Sequence, residues 1–198
     1  MIGIINYGAG NLGSLSNAFS YLGIPSFISG DIEELQKAKK LVLPGVGAFG
    51  PAMDRLKNLR LDDFLNDWVD DRKYLLGICL GMQLLLSESE ENGTNKGLNL
   101  IPGRVKLIKN SFRKVHIGWN QVKPTNENLV FSKTGYAYFV HSYACHPVDE
   151  ENIISLTEYG NQFVSGLRKR NVIGLQFHPE KSQEFGLKIL KRFYTNEF

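Results

Sequence analysis

Short apolar segments alternate with amphipathic segments along the first 90 residues of the chain. Strands are predicted at residues 2–5, 25–29, 40–43 and 74–78, and the continuous apolar run at 74–78 is typical of a strand buried on both faces of a sheet. The amphipathic segments predict helices at residues 14–22, 31–39, 53–72 and 80–89. Ser14 or Ser16 is expected to cap the first helix, and Asp31 the second.

The pattern changes after residue 90, where β-rich segments follow one another. Strands are predicted at residues 105–108, 120–123, 137–140, 153–157, 163–167 and 172–177. A basic amphipathic helix is predicted at residues 185–194. Since no repeat, low-complexity segment or linker interrupts the chain, we expect a single domain over residues 1–198. The predicted fold class is α/β, an open sheet with an added antiparallel β-rich half.

Composition and charge are those of an ordinary globular protein. The 198 residues are 42% hydrophobic and 22% charged, which suits one domain with a sizeable core. These values exclude a disordered chain, a collagen or coiled-coil fibre and a disulfide-rich miniprotein. The net charge of +3 is too small to indicate nucleic-acid binding. We expect no room for a second catalytic domain, so multi-step chemistry must use a partner chain.

Two stretches of the chain resemble targeting or membrane segments. No charged side chain precedes Asp31, but this opening lacks a basic start and contains several Asn and Ser residues that a signal sequence avoids. The apolar stretch at residues 74–87 is shorter than the roughly 18–20 residues that span a bilayer. We therefore expect no membrane association. Cys79 and Cys145 are the only cysteines, which favours reduced thiols and a cytoplasmic location.

A glycine-rich turn at residues 8–13 follows the first predicted strand. Its sequence, Gly-Ala-Gly-Asn-Leu-Gly, fits the dinucleotide-binding fingerprint, and Asp31 follows at roughly the 20-residue offset of a ribose-binding acid. The alternative is a tight strand-to-helix turn, which is common in α/β proteins. Because the chain leaves little space for a separate substrate domain, a dinucleotide-binding protein is kept only as an alternative function.

Cys79 lies at a sharp predicted turn between a buried strand and a helix. The sequence at residues 77–81, Gly-Ile-Cys-Leu-Gly, is the nucleophile-elbow pattern with Cys in place of Ser. Flanking glycines leave room in a strained turn, and the N–H groups after the Cys can stabilise a thiolate or an oxyanion. A buried Cys is often an inert core residue, but two glycines at this junction favour a catalytic nucleophile.

A thiolate nucleophile needs a base, and the base needs an acceptor that orients it. Of the four histidines, His178 follows an apolar strand, and Pro179 stiffens its connection to Glu180. These positions predict a triad of Cys79, His178 and Glu180. His141 can instead belong to the core or to a pocket wall.

A zinc site built from Cys79, His141, Cys145 and His146 is a further alternative. Cys145 and His146 are adjacent, so on a strand their side chains point to opposite faces. The chain also has no Cys-x-x-Cys spacing. We therefore expect neither a metal nor a cofactor.

A second glycine-rich loop follows the predicted strand at residues 40–43. Its glycines at positions 45, 47 and 50 let the backbone approach a ligand and present N–H groups to an oxyanion. The alternative is a plain loop with left-handed glycines, and the loop by itself favours neither interpretation.

Together, three motifs resemble those of class I (triad) glutamine amidotransferases: residues 77–83 (Gly-Ile-Cys-Leu-Gly-Met-Gln), residues 44–47 (Pro-Gly-Val-Gly) and residues 176–180 (Gln-Phe-His-Pro-Glu). The resemblance covers essentially the whole chain and implies a three-layer fold with a central, mostly parallel mixed sheet between helices. It also implies that Cys79 attacks the side-chain amide of glutamine while His178, oriented by Glu180, protonates the leaving ammonia. The positions that match the family's oxyanion hole and glutamine-binding residues are Val46, Gly47, Leu80, Gln83, Ser142 and Tyr143.

Within this family, Met82 and residues 6–12, 116–120 and 180–182 are similar to the glutaminase subunits of imidazole glycerol phosphate synthases. This similarity argues against a dinucleotide at residues 8–13. It implies a heterodimer with a (β/α)8-barrel cyclase that uses the ammonia in histidine biosynthesis. Amidotransferase subunits that supply a sugar-aminating partner are the alternative. The residues that match or adjoin the expected docking face are Asn11, Trp119, Asn120, Tyr136, Tyr138 and Lys181.

Overall fold

The computed structural model describes residues 1–108, 115–125, 130–131 and 133–195 of the chain. Within these residues, thirteen strands form one large sheet. The strands are β1 (Ile2–Ile5), β2 (Ser26–Ser29), β3 (Lys40–Leu43), β4 (Tyr74–Ile78), β5 (Leu86–Ser89), β6 (Asn95–Lys96), β7 (Ile101–Leu107), β8 (His116–Pro124), β9 (Gly135–His141), β10 (Tyr143–Pro147), β11 (Ile153–Tyr159), β12 (Asn161–Lys169) and β13 (Val172–Leu175).

Helices flank this sheet. The α-helices in the described ranges are α1 (Leu12–Tyr21), α2 (Ile32–Leu35), α3 (Phe49–Asn58), α4 (Leu61–Asp70), α5 (Leu80–Leu84) and α6 (Gln183–Thr195). Two short 3-10 turns lie at Glu150–Asn152 and Pro179–Lys181. None of the helices described here has the length and apolar character needed to cross a membrane.

The centre of the sheet is parallel, in the order β2-β1-β3-β4-β13. Strands β12, β10 and β7 continue it in antiparallel pairs, and β5 and β6 complete that edge. Strands β11, β8 and β9 form a further antiparallel group that joins the sheet through β12. The predicted α/β class, with a mixed central sheet and an added antiparallel portion, is confirmed.

Side chains alternate along the central strands and pack into hydrophobic clusters on opposite faces. In β3, Leu41 and Leu43 belong to a cluster that includes Trp68 and other residues of α3 and α4. Val42, between them, belongs to a cluster that contains Phe19 of α1 and residues of α6. The sheet therefore lies between two helical layers, as expected for a three-layer α/β fold.

Two of the predicted helices differ from the structure in their caps or ends. Asn11, and not Ser14 or Ser16, caps α1, because its side-chain oxygen accepts the N–H of Ser14 at 3.2 Å. Asp31 caps α2 as predicted, but that helix ends at Leu35 instead of continuing to residue 39.

Two other predicted helices are interrupted. The segment at residues 53–72 contains the end of α3 and the whole of α4, because Arg60 adopts a left-handed backbone conformation with φ 56°. The helix predicted at residues 80–89 ends at Leu84, and Leu86–Ser89 form β5, which pairs in parallel with β7. A short run of leucines fits a buried helix and a buried strand equally well. The pairing with β7 stabilises this segment as a strand.

Candidate active site

Cys79 occupies the turn between β4 and α5, at the carboxyl end of a central parallel strand. Its backbone has φ 54° and ψ −112°, a conformation that L-residues rarely adopt, and its N–H donates to the carbonyl of Leu175 at 2.7 Å. A Cβ on Gly77 would lie 2.7 Å from the carbonyl oxygen of Gly81, and one on Gly81 would overlap the carbonyl oxygen of Leu43. The predicted elbow is therefore formed, and close packing requires both of its glycines.

His178 and Glu180 form a buried pair beside Cys79. Nδ1 of His178 lies 2.8 Å from Oε1 of Glu180, and the two side chains are 3% and 4% exposed. Burial alone lowers the pKa of His178, but the Cys79 side chain and the Glu180 carboxylate outweigh it and raise the pKa from 6.5 to about 10. The raised pKa favours the imidazolium form of His178 at neutral pH. In the described residues its Nε2 atom is buried without a hydrogen bond, which leaves that proton for a reacting group.

The side-chain amides of Gln83 and Gln176 form a series of contacts between the cavity wall and the sulfur of Cys79. Nε2 of Gln83 donates to the carbonyl of Tyr143 at 3.0 Å and to Oε1 of Gln176 at 3.2 Å. Because Oε1 of Gln176 accepts this bond, its Nε2 faces Sγ of Cys79, at 4.0 Å. The sulfhydryl also lies 3.7 Å from the carbonyl of Val140. Gln176 can therefore donate a hydrogen bond to a thiolate at Cys79. Gln176 belongs to the motif at residues 176–180, but sequence reasoning assigned it no role.

A cavity of about 340 Å³ opens beside Cys79. This volume lies at the small end of ligand pockets and suits a single amino acid. Its lining includes Cys79 and all six residues that the family resemblance assigns to the oxyanion hole and the substrate, namely Val46, Gly47, Leu80, Gln83, Ser142 and Tyr143.

Glu91 also lines this cavity. Its Oε2 atom accepts the N–H of Phe49, the first residue of α3, at 2.7 Å, and its carbonyl accepts Nδ2 of Asn95 at 2.8 Å. These contacts hold a carboxylate in the wall of the cavity. Sequence reasoning missed Glu91, because it follows Glu88 and Glu90 in an acidic stretch and nothing in the sequence distinguishes it from a solvated acid.

The loop after β3 presents backbone to the same cavity. The hydroxyl of Tyr7 donates to the carbonyl of Pro44 at 2.9 Å, and a Cβ on Gly45 would lie 2.6 Å from that hydroxyl. Gly47 has φ 103°, which favours glycine. The N–H of Leu80, at the first position of α5, is among those that a helix leaves unpaired. The loop and the helix start can therefore bind an oxyanion together.

The glycine-rich turn at residues 8–13 is held by contacts within the protein. Gly8 and Gly10 have φ values of 81° and 111°, and Nη1 of Arg55 donates to the carbonyl of Gly8 at 2.7 Å. The carboxylate of Asp31 accepts two backbone N–H groups of α2, at 2.7 and 3.2 Å. Both features of the dinucleotide fingerprint thus have structural roles, which favours the tight-turn interpretation.

The four residues of the zinc alternative do not converge on one site, although Cys79 and His141 line the same cavity. His141 lines the cavity, and its Nδ1 atom bonds to the carbonyl of Tyr143 at 2.9 Å. On β10, Cys145 is buried and His146 is exposed, so they lie on opposite faces of the strand, as expected. The part of the chain that the structure describes contains no group of three or more His, Cys, Asp or Glu side chains suited to a metal.

Aromatic residues of the predicted docking face meet on β8 and β9. Trp119 and Tyr136 are 47% and 61% exposed. The ring of Tyr138 lies 6.3 Å from that of Trp119, with an interplanar angle of 69°. Nζ of Lys181 lies 5.8 Å from the centre of the Tyr138 ring. Four of the six predicted docking residues therefore have exposed or partly exposed side chains on or beside one strand pair.

The two asparagines of the predicted face have local partners. Asn120, on β8, is half-buried and donates to the carbonyl of Glu158 at 2.7 Å. Asn11 caps α1, which packs against the Pro179–Lys181 turn. The N–H of His178 donates to the carbonyl of Tyr138 at 2.9 Å, so strand β9 is joined directly to the segment that carries His178.

The family model of class-I glutamine amidotransferases matches residues 4–196. The chain belongs to this family. Two relatives of this amidotransferase are imidazole glycerol phosphate synthase subunits HisH. The one from Bacillus subtilis (strain 168) is 47% identical, with 98% of this chain and 95% of the relative covered. The one from Chlorobaculum tepidum is 45% identical, with 98% of each chain covered.

The amidotransferase is also similar to solved structures of low sequence identity. A structure of PurLQS from Thermotoga maritima has a TM-score of 0.79 at 18% identity, with 98% of this chain and 97% of that chain covered. A glutamine amidotransferase structure has a TM-score of 0.77 at 20% identity, with 96% and 97% covered. The class I fold is thereby confirmed. The HisH relatives confirm the prediction of an enzyme of the imidazole glycerol phosphate synthase glutaminase type.

Proposed function

We propose that this amidotransferase, acting as one domain over residues 1–198, hydrolyses L-glutamine to glutamate and ammonia for an imidazole glycerol phosphate synthase. The observation that carries this proposal is the Cys79 elbow beside the buried His178–Glu180 pair, at the edge of a cavity of about 340 Å³. Relatives of 45–47% identity that are subunits of this synthase support the choice of pathway, histidine biosynthesis.

In the proposed mechanism, the thiolate of Cys79 attacks the side-chain amide carbon of glutamine, and the carbonyl oxygen becomes an oxyanion. The N–H groups of Gly47 and Leu80 stabilise that oxyanion. When the intermediate collapses, the C–N bond breaks and the imidazolium of His178 gives its proton to the leaving ammonia. Neutral His178 then takes a proton from water, which attacks the thioester. Glutamate leaves and the thiolate forms again, while Glu180 keeps the imidazole oriented.

Polar groups of the cavity suit the two ends of glutamine. The carboxylate of Glu91 is the acidic group of the lining and suits the α-ammonium of the substrate. Nε2 of Gln83 is used by Tyr143 and Gln176, so its Oε1 atom is the one left to accept from the substrate. The backbone of Ser142 and Tyr143 forms the adjoining wall of the cavity. These groups position the amide carbon of glutamine near the sulfur of Cys79.

The proposed partner is a (β/α)8-barrel cyclase that docks on the face of Asn11, Trp119, Asn120, Tyr136, Tyr138 and Lys181. Exposed Trp and Tyr rings support this, because these residues are enriched at interfaces. The hydrogen bond between His178 and Tyr138 also supports this docking site, since it places the docking face beside the histidine that protonates the leaving ammonia. Ammonia must pass between the proteins without meeting solvent, because ammonium is not a nucleophile. We place the complex in the cytoplasm, where Cys79 stays reduced.

The Cys79→Ala variant tests the proposed reaction in the complex with the cyclase. Glutamine-dependent synthesis should be lost, while synthesis from an ammonium salt continues, because the cyclase then takes ammonia from solution. Cys145→Ala removes the other cysteine, which is buried in β10, and is the matched control that keeps glutamine-dependent synthesis. Glutamine hydrolysis that survives Cys79→Ala would contradict the role of Cys79.

The partner itself is tested by capture from native extract and mass spectrometry. We expect a barrel cyclase to copurify with the chain and to restore glutamine-dependent product formation. Copurification with a sugar-aminating enzyme would contradict the proposed pathway and leave the glutaminase chemistry intact.

A further inference from the structure

Tyr7 is a buried residue beside the site that has no role in the proposed mechanism. It lies just beyond the end of β1, and Pro44 follows β3, the neighbouring parallel strand, so the two residues meet at the carboxyl edge of the sheet. The hydroxyl of Tyr7 donates to the carbonyl of Pro44 at 2.9 Å. Because Tyr7 is 2% exposed, water cannot take the place of this hydroxyl. Tyr7 therefore holds the first residue of the loop that leads to the cavity.

The Tyr7 hydroxyl also lies against the next residue of this loop. The Pro44 carbonyl and the N–H of Gly45 belong to one planar peptide group, so fixing the direction of the carbonyl fixes that of the N–H. A Cβ on Gly45 would lie 2.6 Å from the Tyr7 hydroxyl. The same Cβ would lie 2.9 Å from the Cβ of Leu80 and 3.0 Å from the backbone nitrogen of Gly81. The start of the loop is therefore packed against both Tyr7 and the first turn of α5.

The middle of the loop has little packing of its own. Val46 is 46% exposed, and a Cβ on Gly47 would meet nothing within 4 Å among the described residues. The position of the Gly47 N–H therefore depends on how the two ends of the loop are held. The later end leads into α3, where Nη1 of Arg55 donates to the carbonyl of Gly8 at 2.7 Å. Both ends are thus tied to the segment at residues 7–8.

The proton of the Tyr7 hydroxyl is not available to the reaction. A carbonyl can only accept, so this proton is used in the bond to Pro44. Burial raises the pKa of Tyr7 above its ordinary value of 10. The nearby Cys79 side chain raises it further, because a second negative charge beside a thiolate is unfavourable, and these effects outweigh that of Arg55. The hydroxyl therefore stays a donor to the loop.

We propose that Tyr7 is a positioning residue that orients the loop at residues 44–47 so that the N–H of Gly47 faces the oxyanion formed from glutamine. This inference rests on the proposed function. The oxyanion exists only after Cys79 has attacked, so a misplaced N–H weakens binding of the transition state and leaves binding of glutamine nearly unchanged. The contribution of Tyr7 therefore belongs to kcat and not to KM.

Tyr7→Phe tests this proposal in the complex with the cyclase, because it removes the hydroxyl and keeps the ring. We expect the kcat of glutamine hydrolysis to fall about tenfold, less than the roughly 100- to 1,000-fold loss that follows removal of a whole oxyanion donor. The KM for glutamine should change by less than about twofold. Synthesis from an ammonium salt should continue at the wild-type rate, because it does not use this site.

The matched control is Ile24→Val. Ile24 is 5% exposed and precedes β2, so it lies at the opposite edge of the parallel strands from Tyr7. Loss of one buried methylene destabilises a protein by about as much as loss of one hydrogen bond. The two variants should therefore unfold at similar denaturant concentrations, while only Tyr7→Phe lowers kcat.

A second measurement separates the oxyanion from the nucleophile. Iodoacetamide alkylates the thiolate of Cys79 by displacing iodide from a CH2 carbon, so no oxyanion forms. The rate of this alkylation, followed at Cys79 by mass spectrometry, should be unchanged in Tyr7→Phe.

Four results would overturn the role of Tyr7. They are an unchanged kcat, a rise in KM in place of the fall in kcat, an equal loss of kcat in Ile24→Val, and a parallel loss of alkylation at Cys79. Failure of the proposed function is distinguishable from these results, because the wild-type complex would then hydrolyse no glutamine.

Discussion

The hydroxyl of Ser182 donates a hydrogen bond of 2.6 Å to the backbone carbonyl of His178. The same hydroxyl accepts the N–H of Tyr138 at 3.0 Å. The backbone of His178 is therefore joined to β9 through Ser182 as well as by its own N–H, which donates to Tyr138 at 2.9 Å. Since Ser182 is 1% exposed, water cannot replace these bonds. The position of the imidazole thus depends on a buried hydroxyl outside the triad.

Ser182→Ala is expected to lower the kcat of glutamine hydrolysis by the complex roughly tenfold, because displacement of a proton donor by a fraction of an ångström weakens proton transfer. The free energy of unfolding should fall by about 1–3 kcal/mol, the effect of leaving buried backbone groups unpaired. Ser155→Ala is the control, since Ser155 is also buried and its hydroxyl bonds to Ser165 at 3.0 Å and not to the backbone of His178. An equal loss of kcat in both variants would contradict a positioning role for Ser182.

Much of the proposed site could be predicted from local sequence. Cys79 lies between glycines at a strand-to-helix junction, and His178 is two residues from its acceptor Glu180, so short segments carry the signal. Glu91 and Gln176 could not be assigned in the same way. Their roles depend on contacts with Phe49 and Cys79, which are 42 and 97 residues distant in the chain. Only the folded sheet brings these groups together.

The pKa of His178, raised from 6.5 to about 10, predicts a dependence on pH. The folded state holds a proton that the unfolded state releases above about pH 6.5, so the resulting stabilisation is complete below that pH and is lost as pH rises through about 10. Glu180→Gln removes the carboxylate that helps to raise this pKa, so the NMR titration of His178 should move to lower pH.

Glu184→Gln is the control for that titration, because Glu184 is exposed and pairs with Lys188 on the surface of α6. It should leave the midpoint of His178 unchanged. A His178 resonance that titrates near 6.5 in the wild-type protein would contradict the raised pKa.

The errors in secondary-structure prediction come from positions where tertiary contacts overrule local preference. Leu86 follows two other leucines and fits a helix, yet it pairs with Ile101 of β7. Arg60 interrupts a long amphipathic segment with a positive φ that nothing in its side chain requires. Strands β1, β3 and β4 have the predicted bounds, because their burial on both faces leaves a largely apolar run.

Gly81→Ala is expected to prevent formation of the elbow. Its Cβ would overlap the Leu43 carbonyl, and because that atom belongs to the backbone of β3, it cannot move aside. We expect a loss of more than about 3 kcal/mol in the free energy of unfolding, as for severe overpacking. The control is Gly13→Ala in α1, where a Cβ meets nothing within 4 Å. That variant should gain about 0.5–1 kcal/mol in the free energy of unfolding. A Gly81→Ala variant as stable as the wild-type protein would contradict the close packing.

Tyr136→Ala tests the docking face. The side chain of Tyr136 is 61% exposed on β9, so its removal should leave the free energy of unfolding nearly unchanged. An aromatic anchor at an interface contributes on the order of 1–2 kcal/mol, so we expect the Kd for the cyclase, measured by calorimetry, to rise roughly tenfold.

The matched control for this prediction is Tyr21→Ala. Tyr21 is 79% exposed, and it ends α1, whose other end, at Asn11, belongs to the proposed face. A helix of ten residues is about 15 Å long, which separates Tyr21 from Asn11. Its removal should not change the Kd. An unchanged Kd in Tyr136→Ala and in Trp119→Ala would place the partner elsewhere, because a docked barrel cannot cover β8 and β9 without burying these two rings.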